Sequence, residues 1–128
     1  IIKAPVKQGR ATSFVETVDI FPTLCDLAGL DIPKQCQGLS LRPVLENPEE
    51  SVRDFVYTRF KDADTVVSQR YAFTQFSNGK TGMMLYDLES DPDENVNQAD
   101  NSEYADAVNL MQRKLEQAKQ RAAAYDSD

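Results

Sequence analysis

A chain of 128 residues has room for one domain with a real core, and 41% hydrophobic and 27% charged residues are ordinary for a globular protein. Lys and Arg number 14 against 21 Asp and Glu, and the resulting net charge of −7 opposes binding to nucleic acid or to an anionic membrane surface. No apolar run approaches the roughly 20 residues needed to span a bilayer.

The chain opens on Ile1-Ile2 with no initiator methionine and reads as a piece of something longer. Ile1 to Pro5 has the look of a buried strand end, and Gly9 marks a turn over Lys7 to Arg10. Thr12 to Val15 reads as extended. In VDIFPTLCDLAGL (Val18 to Leu30), Pro22 is tolerated only in a first helical turn, so the spacing predicts a helix over 20–28. Asp19 would be its N-cap and Gly29 its stop. A rival start is a capping box of Ser13 and Glu16, with a kink at Pro22. Phe21, Leu24, Cys25 and Ala28 would form one apolar face. Cys25 and Cys36 are the only cysteines. The absence of CxxC and of any histidine argues against a zinc site, and the pair reads as two small buried thiols or a disulfide.

After the polar connection Asn47 to Ser51 the apolar period changes to two. Strands are predicted at Phe55 to Phe60, Thr65 to Ser68, Tyr71 to Phe76 and Gly82 to Leu88. Gln69-Arg70 makes one tight turn, and Asn78-Gly79 predicts a type I′ hairpin turn with φ > 0 at both central residues. Short turns between consecutive strands give an antiparallel sheet. Tyr104, Val108, Met111, Leu115, Ala118, Ala122 and Tyr125 recur at spacings of four and three, the stripe of an amphipathic helix over 101–124. Asp100 and Glu103 would box its start. The fold class is α+β: a small four-stranded antiparallel sheet packed by a long C-terminal helix, preceded by a strand–helix piece.

Candidate chemistry is sparse. With no histidine there is no Ser-His or Cys-His pair. Gly38-Leu39-Ser40 lacks the rest of a G-x-S-x-G elbow. The acidic run Asp87, Glu89, Asp91, Asp93, Glu94 suggests calcium, but an EF-hand needs Gly at position 6 and Glu at position 12. Counted from Asp87, those places hold Pro92 and Gln98, so the run reads as a solvated turn.

Three segments carry a resemblance. LYDLESDPDENVN (Leu85 to Asn97) resembles the LYDL-x-x-DP-x-E-x-x-N signature near the C-terminus of formylglycine-type sulfatases. VDIFPTLCDLAGL resembles their D-x-x-PTL-x-x-LAG helix, and GLSLRPVL (Gly38 to Leu45) the G-x-SL-x-P-x-L segment that follows it. Ile1 to Pro5 is similar to the strand before this region. The flavour of ETVDIFPTLCDLAGL is that of the iduronate-2-sulfatase-like branch. Asn97-Gln98-Ala99 replaces the usual N-L-A.

The resemblance implies a sulfatase C-terminal region. Residues 1–45 would be the edge of an alkaline-phosphatase-like main domain, and 46–128 the C-terminal subdomain. The parent would hydrolyse sulfate esters of a small molecule or carbohydrate, using calcium and a formylglycine made from C/S-x-P-x-R. Cys25 is followed by Asp26-Leu27-Ala28 and Cys36 by Gln37-Gly38-Leu39, so neither matches. No catalytic, cofactor or metal residue is therefore carried onto this chain, which is expected to be inert alone. Its partner would be the N-terminal catalytic domain, and the address secreted, periplasmic or lysosomal. Because the subdomain borders the substrate cleft in that family, Arg59, Lys61 and Arg70, the cations nearest strand ends and turns, are the candidate contacts to an anionic substrate. Two other readings fit the residues: a free-standing interaction or carbohydrate-binding module, and a related phosphate or phosphonate ester hydrolase.

Overall fold

The computed structural model describes residues 9–123. They form two compact units that divide between Asp54 and Phe55. The strand expected at Ile1 to Pro5, the first half of the Lys7 to Arg10 turn and Tyr125 lie outside the described residues.

In the first unit Thr12 to Val15 has no regular structure, and a 3₁₀ turn, Thr17–Asp19, runs into α1, Ile20–Leu27. Pro22 sits in the first turn, where its missing N–H leaves no bond unmade. Gly29 ends the helix at φ +69°. The Leu30 N–H reaches the Cys25 carbonyl at 2.9 Å and the Gly29 N–H reaches the Asp26 carbonyl at 3.1 Å, the Schellman pattern that satisfies the last carbonyls. The start differs from expectation. The Asp19 side chain makes no bond to its own helix. It is fully buried and accepts instead from the Glu16 N–H at 2.7 Å, the Leu39 N–H at 2.9 Å and the Arg53 guanidinium. Arg53 also pairs with Glu16. Nor does Ser13 box with Glu16; its hydroxyl bonds the Phe14 carbonyl and Ser51.

The Gly38 segment lies along α1. A Cβ on Gly38 would stand 2.0 Å from the Val18 carbonyl oxygen, so only glycine permits the approach. The Leu41 N–H bonds Thr23 Oγ1 at 2.9 Å, the Thr23 hydroxyl donates to the Asp19 carbonyl at 2.6 Å, and the Ser40 hydroxyl donates to the Asp26 carboxylate at 2.5 Å. The two motifs are hydrogen-bonded to each other. A short helix, α2, Arg42–Glu46, follows with Pro43 in its first turn; the sequence pattern carries no sign of it. Cys25 and Cys36 are free thiols, Cys25 buried and Cys36 half-buried.

The second unit is a meander of β1 (Phe55–Phe60), β2 (Ala63–Ser68), β3 (Tyr71–Phe76) and β4 (Gly82–Asp87), each antiparallel to the next. The register aligns Tyr57, Val66, Phe73 and Leu85 in one row across the inward face. After a 3₁₀ turn, Ser102–Tyr104, the long helix α3 (Ala105–Ala123) lays Val108, Met111, Leu115 and Ala118 on that row. Val66, Phe73, Leu85, Met111 and Leu115 have no measurable exposure. Burial of each such side chain stabilises the fold by about 1.5–3 kcal/mol.

Two turn details are corrections. Residues 77–81 form a five-residue loop with Ser77, Asn78 and Gly79 at φ of 47°, 56° and 82°, not a two-residue type I′ turn. The cap of the last helix is Asn101, whose side chain accepts from the Glu103 N–H at 3.1 Å, not an Asp100–Glu103 box.

Candidate functional site

The polar residues of the second unit gather at opposite ends of the sheet. At the β1–β2 end, the alternation of β2 that buries Val66 also turns Asp64 inward, and it is 2% exposed. Three donors meet its carboxylate: the Tyr57 hydroxyl at 2.8 Å, the Lys119 amine at 2.9 Å and the Arg59 guanidinium at 3.5 Å. Burial alone would raise this carboxyl, but bonds from Lys119 and Tyr57 bring it below the usual carboxylate range. Burial, with the Asp64 bond, pushes the Tyr57 hydroxyl up to about 12.

Lys119 also reaches Asn78 Oδ1 at 3.0 Å, and the 77–81 loop is tied to the β1–β2 turn through the Ser77 hydroxyl on the Asp62 carboxylate at 2.7 Å. Lys61, itself at φ 56°, holds its amine 5.3 Å from the centre of the exposed Phe60 ring. Arg59, on the Asp64 face of β1 and so on the opposite face of the strand from Phe60, is 64% exposed.

At the other end Arg70, in the β2–β3 turn, grips Asp87 with Nε at 3.2 Å and Nη2 at 2.9 Å. Asp87 is buried and also accepts from the Glu89 N–H at 3.2 Å and the Tyr104 hydroxyl at 3.4 Å. The Arg70 bond holds the Asp87 carboxyl below its ordinary value against the opposing effect of burial, and Asp87 in turn raises Arg70. This pair fastens the β2–β3 turn and the end of β4 to the start of the helix. It explains the aspartate of LYDL. Downstream, Asp91 accepts the Val96 N–H at 2.8 Å and shapes the acidic turn.

The final asparagine of the signature has a structural task as well. Asn97 Oδ1 accepts from the Leu85 N–H at 2.9 Å and the Ala99 N–H at 3.0 Å, while Nδ2 donates to the Met83 carbonyl at 3.1 Å. The Gln98 N–H adds a bond to the Leu85 carbonyl at 2.8 Å. One side chain and one amide thus occupy the free edge of β4.

Arg59 and Lys61 therefore share one end of the sheet, and Arg70 stands at the other, a strand length of roughly 20 Å away. Missing from the sequence-based candidates are Asp64, Lys119, Tyr57 and Tyr104. A carboxylate in phase with Val66, and a lysine one turn beyond Leu115, were the available signals. Among the described residues no three His, Cys, Asp or Glu side chains converge to hold a metal. Neither Cys25 nor Cys36 has the flanking residues for formylglycine. The described residues do not fit calcium or formylglycine, both typical of sulfatases.

A family model described as N-sulphoglucosamine sulphohydrolase, C-terminal, matches residues 1–121. The chain belongs to this sulfatase family. It is 32% identical to an N-acetylglucosamine-6-O-sulfatase of Bacteroides thetaiotaomicron, across all of this chain and 26% of that protein. An arylsulfatase of Clostridium perfringens is 30% identical over 85% of this chain and 24% of its own length. Among solved structures, one in complex with its substrate D-glucosamine-2-N,6-O-disulfate superposes with a TM-score of 0.75 at 28% identity, over 86% of this chain and 24% of that one. The phosphonate monoester hydrolase of Agrobacterium radiobacter superposes at 0.72 with 28% identity, over 85% and 25%. This sulfatase C-terminal chain thus spans about a quarter of the length of the relatives it matches.

Proposed function

We propose that this chain is the C-terminal part of a hydrolase that cleaves sulfate esters of carbohydrate, and that it supplies no nucleophile and no metal ligand to the reaction. The carrying observation is the family match over residues 1–121. The polar network agrees with a supporting role: the Asp64 and Asp87 carboxylates are each closed by cations and hydroxyls, which leaves neither free as an acid or base.

In this reading residues 1–45 belong to the edge of the catalytic domain and 46–128 to the C-terminal subdomain, with calcium and formylglycine held by the catalytic domain. The chain's contribution to substrate would come from Arg59 and Lys61. They share one sheet end with an exposed aromatic ring, a pairing suited to a sulfated sugar beyond the reacting group. Arg70, held by Asp87, Glu89 and the Tyr71 ring, is the weaker of the three candidates. The iduronate-2-sulfatase-like branch suggested by ETVDIFPTLCDLAGL is a finer assignment within the same proposal.

The likeness to a phosphonate monoester hydrolase favours a second reading, cleavage of phosphonate or phosphate esters on the same scaffold. Turnover of an aryl sulfate and of the matching aryl phosphonate monoester by the whole encoded polypeptide separates the two. Preference for the sulfate, as kcat/KM, supports the sulfatase; preference for the phosphonate replaces it with the second reading.

A further inference from the structure

The face of the sheet turned away from α3 carries no charge at any strand position. Its outermost row, at the end of the β1–β2 turn, is Phe60, Ala63, Phe76 and Gly82, one residue from each strand. Side chains aligned in one row stand on the same face. Phe60 and Phe76 therefore flank Ala63, with two strand spacings, about 10 Å, between their backbones. A ring gripped from both sides needs walls about 7–8 Å apart, twice the usual carbon–carbon contact. The single methyl of Ala63 leaves that gap open. Phe60 is 72% exposed, the most of any large hydrophobic among the described residues, and Phe76 is half-buried. A Cβ on Gly82, beyond Phe76, would meet nothing.

The two walls are tied together. Ser77 follows Phe76, and its N–H donates to the Asp62 carbonyl at 2.8 Å while its hydroxyl donates to the Asp62 carboxylate at 2.7 Å. Asp62 lies in the turn that joins Phe60 to Ala63. Three of the four non-glycine residues at positive φ among the described residues, Lys61, Ser77 and Asn78, belong to these two turns. Strained backbone of this kind persists only where its surroundings fix it. Next to the aromatic row come the hydroxyls of Thr58, Thr65 and Thr74; Thr58 is exposed, and Thr65 and Thr74 are bonded to each other at 2.8 Å. Of the cations at this end, Lys61 is the one beside the ring, its amine 5.3 Å from the Phe60 centre.

We propose that Phe60 and Phe76 are the walls of a clamp for one pyranose ring, and that Lys61 makes it prefer a sulfated sugar to a neutral one. A pyranose has apolar C–H faces that suit two phenyl walls, and a hydroxyl-bearing edge that suits the threonine row. A sulfate on that ring meets the Lys61 amine. The bonds from Ser77 to Asp62 hold the walls at their spacing before the sugar arrives, which lowers the ordering cost of binding. The choice of a sulfated sugar rests on the function proposed above.

An NMR titration of the 128-residue chain tests this, with N-acetylglucosamine 6-sulfate, N-acetylglucosamine and inorganic sulfate as separate probes. The sulfated sugar should give saturable shifts at the amides of Phe60, Ala63 and Phe76. Phe60→Ala removes a wall and Ala63→Leu fills the gap, and each should weaken binding by about tenfold or more. Lys61→Gln should bring the sulfated sugar down to the affinity of the neutral one. Phe60 is exposed, so Phe60→Ala is expected to fold, and unchanged amide shifts away from the row check that it has. No shift in the row, or undiminished affinity in both Phe60→Ala and Ala63→Leu, would overturn the clamp. So would equal shifts from inorganic sulfate, the mark of a simple anion site. Shifts that follow protein concentration without sugar would give the row to a second copy and overturn it too. Equal affinity of the parent chain for the two sugars would remove Lys61 from it. Sulfate-ester turnover by the whole encoded polypeptide is measured separately. Binding in the row without turnover overturns the sulfatase reading and leaves the clamp standing, and turnover with no binding in the row does the reverse.

Discussion

Removal of the Asn97 side chain should loosen the sheet from its β4 edge. Asn97→Ala deletes the acceptor of the Leu85 and Ala99 amides and the donor to the Met83 carbonyl. These losses are unequal. Leu85 has no exposure, so water cannot replace the partner of its amide, and a stranded buried donor costs about 1–3 kcal/mol. Met83 and Ala99 are half-buried, and solvent recovers most of what they lose. The total is about 2 kcal/mol, which for a unit of this size lowers Tm by roughly 8–16 °C. Asn97→Asp keeps both acceptor bonds and loses only the donor to the half-buried Met83 carbonyl, so it should cost well under half as much. Thermal unfolding followed by far-UV circular dichroism gives the Tm, and NMR hydrogen exchange at the Leu85 amide gives the local opening. A Tm within about 2 °C of the parent for Asn97→Ala, with the Leu85 amide still protected, would refute the edge-capping role.

Leu115→Ala should cost about 2–5 kcal/mol, because the side chain has no exposure, whereas the exposed Gln117→Ala should stay within about 0.5 kcal/mol; equal denaturant midpoints would contradict the orientation of α3. Gly79→Val should cost about 1–3 kcal/mol by the same assay, since φ is +82° and a Cβ would stand 2.8 Å from Gln75 Nε2; an unchanged midpoint would argue against the left-handed loop. The Asp87 carboxyl is depressed in the folded state, so its stabilisation is fully present above the unfolded pKa of about 3.9 and is lost as pH falls through the lower folded value. Denaturant midpoints should therefore fall more steeply below about pH 4 in the parent than in Asp87→Asn, and parallel curves would remove Asp87 from the account. In the whole polypeptide, Arg59→Ala should raise KM for a charged saccharide sulfate more than for a neutral aryl sulfate; identical changes would leave Arg59 as surface charge.

What could be read from the sequence was whatever depends on period. Alternation in Phe55 to Phe60 and Tyr71 to Phe76 located two strands to the residue, and the 3–4 spacing from Val108 to Ala118 located the helix stripe. Side-chain partners far apart in the chain were not legible. Asp19 looks like a cap by position, yet its carboxylate bonds Leu39 and Arg53, because the Gly38 segment folds back on α1. Asn78-Gly79 has the composition of a two-residue turn, but the β3–β4 register, Phe76 opposite Gly82, leaves five residues between the strands. The conspicuous cations are partly explained by carboxylates that alternation buries: Asp64 under Arg59 and Asp87 under Arg70. The sulfatase signature was visible as a string of letters. Its physical meaning, an asparagine closing a sheet edge and an aspartate fastening a turn to a helix, appears only when Asn97 and Asp87 are seen with their partners.

On the function proposed above, this chain supports a sulfate-ester hydrolase whose chemistry resides in other residues of the polypeptide. Inorganic sulfate release from an aryl sulfate, measured side by side for the 128-residue chain and for the whole encoded polypeptide in the presence of calcium, tests it most directly. Turnover is expected from the whole polypeptide and none from the chain alone. Sulfate release by the isolated chain, or a whole polypeptide that leaves sulfate esters intact, would contradict it.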